Sequence, residues 1–133
     1  MRRVVITGIG LLTTLGNNKD LTWKNLIDCK SGIKKVNHFD VSDLPCRIAG
    51  YLSNNPEDKD YFNNPEMIDT KDIKRNDRFI QYGLVAAKMA VEDAGLDELK
   101  DEQKLKVGVS VGSGIGGLET IYNGSITIND KGF

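Results

Sequence analysis

Cysteine and histidine are the side chains best suited to covalent or acid–base chemistry, and this chain has few of them. It contains Cys29, Cys46 and a single histidine, His38. A reactive thiolate needs a helix N-terminus, a neighbouring cation or a base. Cys29 is predicted near the C-terminal end of a helix, and Cys46 lies beside Arg47 without an evident base. We therefore expect two inert cysteines, a lone surface or loop histidine and no metal site, because these residues lack the spacing of metal ligands.

A glycine-rich segment is a second candidate site. Gly112, Gly114 and Gly117 match the G-x-G-x-x-G spacing of dinucleotide-binding turns. That use requires a helix directly after the turn, whose amides receive the pyrophosphate. Because residues 125–128 look strand-like, we expect too little room for the helix, and a Rossmann-type nucleotide binder is kept only as an alternative. The glycines would otherwise allow close backbone contacts or line a pocket for an extended ligand.

The third candidate is a group of cations, Lys71, Lys74 and Arg75. They are expected just before a helix that begins near Asn76-Asp77, where the helix dipole disfavours positive charge. The group is therefore either a solvated charged segment or a docking site for an acidic partner. The whole chain has 18 basic and 19 acidic residues. This balance gives no general attraction to nucleic acid or to an anionic membrane.

Periodicity predicts the elements that carry these residues. β-branched runs predict buried strands over 2–7 and 105–111. Polar caps followed by apolar residues at three- and four-residue spacing predict helices from about 18 to 30 and from Arg78 to Ala94. In the second helix the apolar face is predicted to consist of Ile80, Leu84, Ala87, Val91 and Ala94.

The segment between the two predicted helices is irregular. Residues 34–70 contain all three prolines and are expected to form an insertion, with a short strand over 48–52. The order strand, helix, insertion, helix, strand predicts an α/β protein with a largely parallel sheet.

Length and composition predict one soluble, cytoplasmic domain. The chain has 133 residues, and two cysteines outside any Cys-x-x-Cys pair are typical of a reducing compartment. The apolar N-terminal run is interrupted by Thr7, Gly8 and Gly10 and has no cleavage-site pattern after it. No stretch approaches the roughly 20 apolar residues of a membrane span.

Eight segments distributed along the chain resemble the start of the elongating, type II β-ketoacyl-acyl-carrier-protein synthases. Together they cover the whole sequence in the order and spacing of that family. They are RRVVITGIG, Leu15-Gly16-Asn17, Thr22-Trp23-Lys24, Lys30-Ser31-Gly32-Ile33, His38-Phe39-Asp40, Ile48-Ala49-Gly50, Asp77 with Phe79-Ile80-Gln81-Tyr82-Gly83, and Gly112 to Gly117. One departure is Thr14, where the family usually has proline.

The resemblance implies a thiolase-like αβαβα fold, of which residues 1–133 would form a partial N-terminal domain with an incomplete sheet. It implies fatty-acid elongation by a homodimer that needs no cofactor, since acyl carrier protein (ACP) delivers the substrates on its phosphopantetheine. An acyl group passes to a cysteine, and malonyl-ACP is then decarboxylated and joined to it by Claisen condensation. The nucleophile and two histidines would lie beyond Phe133. We therefore expect no catalytic residue in this chain and no activity from it alone.

Two sets of residues match functional positions of the family. Ile115, with Gly114 and Gly116, matches the turn that gates the acyl-chain pocket near the dimer interface, although Ile115 could equally be an ordinary core residue. Lys71, Lys74 and Arg75 match the basic cluster that meets ACP, so a non-catalytic ACP-binding module is a further alternative. Uncovered sheet edges and apolar faces predict oligomerisation or poor solubility of the isolated chain.

Overall fold

A computed structural model of the chain describes residues 2–53, 55–57, 61–62 and 68–132. Part of the predicted insertion, residues 54, 58–60 and 63–67, lies outside the described residues. The described elements are, in chain order, α1 (Lys19–Ile27), β1 (Ile33–Lys35), β2 (Ile48–Gly50), α2 (Thr70–Arg75), α3 (Arg78–Asp93), α4 (Asp101–Lys104) and α5 (Leu118–Lys131).

Helix α1 begins where the sequence predicts. The side chain of Asn18 accepts a hydrogen bond from the backbone N–H of Leu21 at 2.8 Å, which satisfies one of the free amides of the first turn. The helix ends at Ile27, earlier than predicted, because Cys29 has a left-handed backbone with φ of 54°.

Strands β1 and β2 form an antiparallel hairpin, with Ile33 opposite Gly50 and Lys35 opposite Ile48. The prediction of a strand starting at Ile48 is confirmed, whereas β1 was not predicted. The hairpin packs on Thr14, since a Cβ added to Gly50 would lie 3.1 Å from the methyl carbon of Thr14. The largely parallel sheet predicted from element order is absent among the described residues, where the one sheet is this hairpin.

The core lies between α3 and the predicted insertion. Leu52, Phe62 and Ile68 come from the insertion and pack with Val85 of α3. Phe62 is only 1% exposed, and its ring meets that of Tyr82 edge-on at 4.6 Å. Leu12, Ile73 and Met89 are among the partly buried residues around this cluster.

The apolar face predicted for α3 is not its buried face. Gln81 and Val85 are the buried residues of this helix, while Ile80, Leu84 and Val91 are exposed. Apolar side chains occur on more than one side of α3, so the pattern alone could not identify the side that the core covers.

The predicted buried strands at 2–7 and 105–111 are exposed, and neither segment forms a strand or is paired in a sheet. Val4 is 93% and Val109 88% exposed. A strand becomes buried only when neighbouring strands and covering helices are present, and the described residues supply no neighbouring strand for either segment. This confirms the expectation of an incomplete α/β fold. Gly8, in the N-terminal segment, lies close to α3, because a Cβ added to it would be 2.7 Å from the Cβ of Ala94.

Candidate functional site: a basic helix face and a glycine-rich turn

The cations Lys71, Lys74 and Arg75 belong to a helix of their own, α2. Its N-cap is Asp69, whose carboxylate accepts the backbone N–H of Lys71 at 2.8 Å. Lys74 and Arg75 are in the last turn of α2, where the helix dipole favours positive charge. These cations do lie just before the next helix, α3, as predicted, but they form part of α2, so the position of Lys74 and Arg75 needs no special function to explain it.

The three cations share one face of α2. Residues three and four positions apart are neighbours on a helix surface, and all three side chains are exposed. Ile73 points in the opposite direction and packs against the core cluster. None of the three cations forms an ion pair with another residue in the described part of the chain. We call this surface, made of Lys71, Lys74 and Arg75, the basic face.

A buried glutamine holds the end of α2 that carries two of these cations. The side-chain Nε2 of Gln81 donates to the carbonyl oxygens of Ile73, at 3.1 Å, and Asn76, at 2.7 Å. Gln81 is 6% exposed. No functional role for Gln81 was predicted from the sequence. The one sign of such a role was a polar residue one helical turn before the apolar Val85.

The glycine-rich turn connects the exposed segment 107–111 to α5. Ile115 is 75% exposed, and Gly114 is surrounded by open space. Gly116 has φ of +79° and lies against the ring of Phe79, since an added Cβ would be 3.4 Å from that ring. The structure thus brings one of the three predicted acyl-pocket residues to the start of α3 and leaves the other two facing solvent.

Helix α5 begins immediately after this turn, with Gly117 as its N-cap. The prediction of a strand over 125–128 is therefore wrong, and so is the argument that no helix has room to follow the glycines. Another feature disfavours a nucleotide here. Asp77 accepts a hydrogen bond from the Thr120 hydroxyl and lies beside Gly117. A carboxylate already occupies the N-terminus of α5 and would repel a pyrophosphate.

An apolar groove of about 450 Å³ lies between α3 and the exposed segment that leads into the turn. Phe79, Ile80 and Leu84 line one wall, and Val109 and Val111 line the other. Gly112 and Ser113, at the start of the glycine-rich turn, also line the groove.

The two cysteines and the histidine, the side chains best suited to covalent or acid–base chemistry, contact residues close to them in sequence or space. The thiol of Cys46 donates to the carbonyl oxygen of Ile48 at 3.4 Å, and that of Cys29 to Ile27 at 3.7 Å. His38 packs against Phe39 and Tyr51, with ring centroids 4.9 and 4.8 Å away. Among the described residues no group of three histidine, cysteine or acidic side chains could hold a metal ion. In the same residues no helix is both long enough and apolar enough to cross a membrane.

The fold is that of ketosynthases. The structure superimposes on the ishigamide ketosynthase/chain length factor with a TM-score of 0.68 at 24% sequence identity, over 98% of this chain and 30% of that chain. Residues 1–132 match the family described as Beta-ketoacyl synthase, N-terminal domain. This chain belongs to the β-ketoacyl synthase family, as its sequence motifs predicted.

Curated relatives show the same relationship. The chain is 40% identical over 131 residues to the 3-oxoacyl-[acyl-carrier-protein] synthase 2 of Vibrio harveyi and 42% identical over 131 residues to that of Staphylococcus aureus strain N315. Each alignment covers 98% of this chain and 30% of the relative. The chain therefore spans about 30% of the length of these relatives.

Proposed function

We propose that this chain serves in a 3-oxoacyl-ACP synthase that elongates fatty acids by decarboxylative condensation of malonyl-ACP with acyl-ACP. The observation that carries the proposal is the similarity to 3-oxoacyl-ACP synthase 2 over nearly the whole chain. We propose that this synthase is a cytoplasmic homodimer and needs no cofactor beyond the phosphopantetheine of ACP.

The contribution assigned to these 133 residues is recognition of ACP through the basic face. The chain as a whole has a formal charge of −1, so the three exposed cations on α2 are a local feature. Complementary charges mainly speed the encounter of two proteins and fix their orientation. A basic face directed away from the core by Ile73 is well suited to meet the acidic surface of ACP.

The condensation itself is assigned to residues outside this chain. It needs a thiolate that takes the acyl group from ACP, and donors that stabilise the charge left when malonyl-ACP loses carbon dioxide. In the described structure Cys29 and Cys46 are exposed and contact backbone carbonyls, and His38 packs on aromatic rings. We expect no condensing activity from the chain alone.

The glycine-rich turn is assigned to the acyl-chain pocket, with Ile115 as the contacting side chain and Gly114 and Gly116 giving it room. Two features support this assignment. Ile115 is exposed and so available to a ligand or a second subunit, and Gly112 and Ser113, at the start of the same turn, line the apolar groove beside α3.

Measured binding of a purified, holo-form bacterial ACP tests the proposal. The triple variant Lys71→Glu, Lys74→Glu, Arg75→Glu should weaken binding by roughly tenfold or more, since exposed ion pairs contribute up to about 1 kcal/mol each. The matched control, Lys104→Glu, Lys106→Glu, Lys131→Glu, makes the same change of charge at other exposed positions. Equal binding by the wild type and the basic-face variant would refute docking at this face.

A non-catalytic ACP-binding module is the second candidate, because the basic face is complete within this chain. An assay for release of carbon dioxide from malonyl-ACP separates the two functions. Binding without turnover by the protein isolated from its native source would favour the module.

A further inference from the structure

We propose that Gln81 is a positioning residue of the ACP-docking surface, an inference that rests on the proposed function. Its buried carboxamide fixes the C-terminal turn of α2 and thereby the direction of Lys74 and Arg75. Gln81 is buried and carries no charge, so we do not expect it to contact ACP. Its effect on recognition would be exerted entirely through the helix that it holds.

The need for such a residue follows from the length of α2. The helix has six residues, and isolated helices shorter than about 12 residues are marginal in water. In the described part of the chain three side chains hold it: the Asp69 carboxylate at its N-terminus, Ile73 in the core and Gln81 at its C-terminal end. Ile73 and Gln81 both act on the last turn, and of the two only Gln81 donates hydrogen bonds to backbone carbonyls at the end that carries Lys74 and Arg75.

The chemistry of the contact is specific to a carboxamide. The last carbonyls of a helix have no partner within it, and the NH₂ group of a glutamine offers two donors. One donor meets the carbonyl of Ile73 and the other that of Asn76. A side chain of equal size without these donors would leave two acceptors unsatisfied beside the core, so the last turn of α2 would fray.

Fraying would leave the three positive charges present but no longer on a common face. Binding energy from exposed charges depends on holding them in one arrangement. We therefore expect Gln81→Met, which preserves size and net charge, to weaken ACP binding by roughly threefold to tenfold, the effect of two misplaced exposed charges.

A second variant separates positioning from general loss of stability. In Gln81→Glu the introduced carboxyl is buried among carbonyl oxygens, so its pKa is raised, and its neutral form regains one donor. Its affinity for ACP relative to wild type should be low at about pH 8 and recover at about pH 5, whereas that of Gln81→Met should stay low at both.

Val85→Ala is the matched control. Val85 lies one turn further along α3, is also buried and packs in the core, and its side chain has no polar atom to offer the carbonyls of α2. This variant should lower the melting temperature and leave ACP affinity unchanged.

The experiment uses the 133-residue chain, holo-ACP and circular dichroism of every variant. Wild-type affinity in Gln81→Met overturns the inference, as does a loss in Gln81→Glu that does not vary with pH. If Gln81→Met fails to fold, the pH dependence of Gln81→Glu alone decides. Failure of the wild-type chain to bind ACP would instead refute the docking function on which the inference rests.

Discussion

The carboxylate of Asp93 accepts the backbone N–H of Ile9 at 3.0 Å, although 84 residues separate the two in sequence. The same carboxylate forms an ion pair with Lys19 in the first turn of α1. One side chain at the end of α3 therefore attaches both the N-terminal segment and α1. This attachment matters because the preceding residues, 2–7, are exposed.

The first prediction concerns acid stability. The hydrogen bond from Lys19, followed by that from the Ile9 N–H, lowers the pKa of Asp93 below its ordinary value of 3.8. A lowered folded-state pKa contributes stability that is present above the unfolded value, about 3.9, and is lost as the pH falls through the folded value. Asp93→Asn should therefore lower the melting temperature at neutral pH and flatten its decline below about pH 4.

Melting temperatures measured across this pH range provide the check, with Asp97→Asn as the control for removing an exposed carboxylate. Some acid dependence should persist in Asp93→Asn, because the backbone N–H of Ser42 also lowers the pKa of Asp40. If the melting temperature of Asp93→Asn declined with falling pH as steeply as that of the wild type, the ionised Asp93 carboxylate would not contribute to folding.

The second prediction concerns Phe62, the most buried large side chain among the described residues. Phe62→Ala removes a ring that contacts Tyr82 and leaves a cavity, which typically costs about 3–5 kcal/mol. Since domains of this size are stable by only about 5–15 kcal/mol, much of the folding free energy would be lost. Urea unfolding should detect this, whereas Phe39→Ala, at an exposed position, should change the midpoint little.

The elements that the sequence predicted correctly carry their signals locally. Asn18 caps α1, and the long apolar periodicity of α3 identifies a helix from Arg78 onward. Family membership was also predictable, because it depends on motifs in fixed order. These signals require no knowledge of which residues meet across the fold.

The elements that the sequence missed depend on distant contacts. The cations of α2 are placed by Ile73 in the core and by Gln81, a residue of the next helix. Helix α5 contains Ile126, Thr127 and Ile128, residue types that favour strands. It is helical in the structure, where the Asp77–Thr120 hydrogen bond fastens its first turn. Tertiary context overrides such local preference.

The third prediction tests that first turn. Gly117 has φ of −81°, which any residue can adopt, so the cost of Gly117→Ala is the overlap of its Cβ with the Asp77 carboxylate. We expect a loss of about 1–3 kcal/mol, the range for overpacking a tight contact. Asp77→Ala should relieve part of it, giving a coupling of at least about 0.5 kcal/mol in a double-mutant cycle.

Gly114→Ala serves as the control, because an added Cβ there meets nothing within 4 Å. Additive effects of Gly117→Ala and Asp77→Ala on the free energy of unfolding would contradict a direct contact between these two positions.

The last prediction concerns self-association. Val109, Val111 and Leu105 are exposed on the segment before the glycine-rich turn, and Val4 and Ile6 are exposed near the N-terminus. Extended apolar segments with unpaired backbone groups favour association with other chains. Light scattering after size exclusion should therefore find the 133-residue chain in species larger than its 14.7 kDa monomer. Val109→Lys with Val111→Lys should shift it toward the monomer, while Lys104→Glu with Lys106→Glu should not. A monomer with a cooperative thermal transition would show that these exposed segments do not drive association.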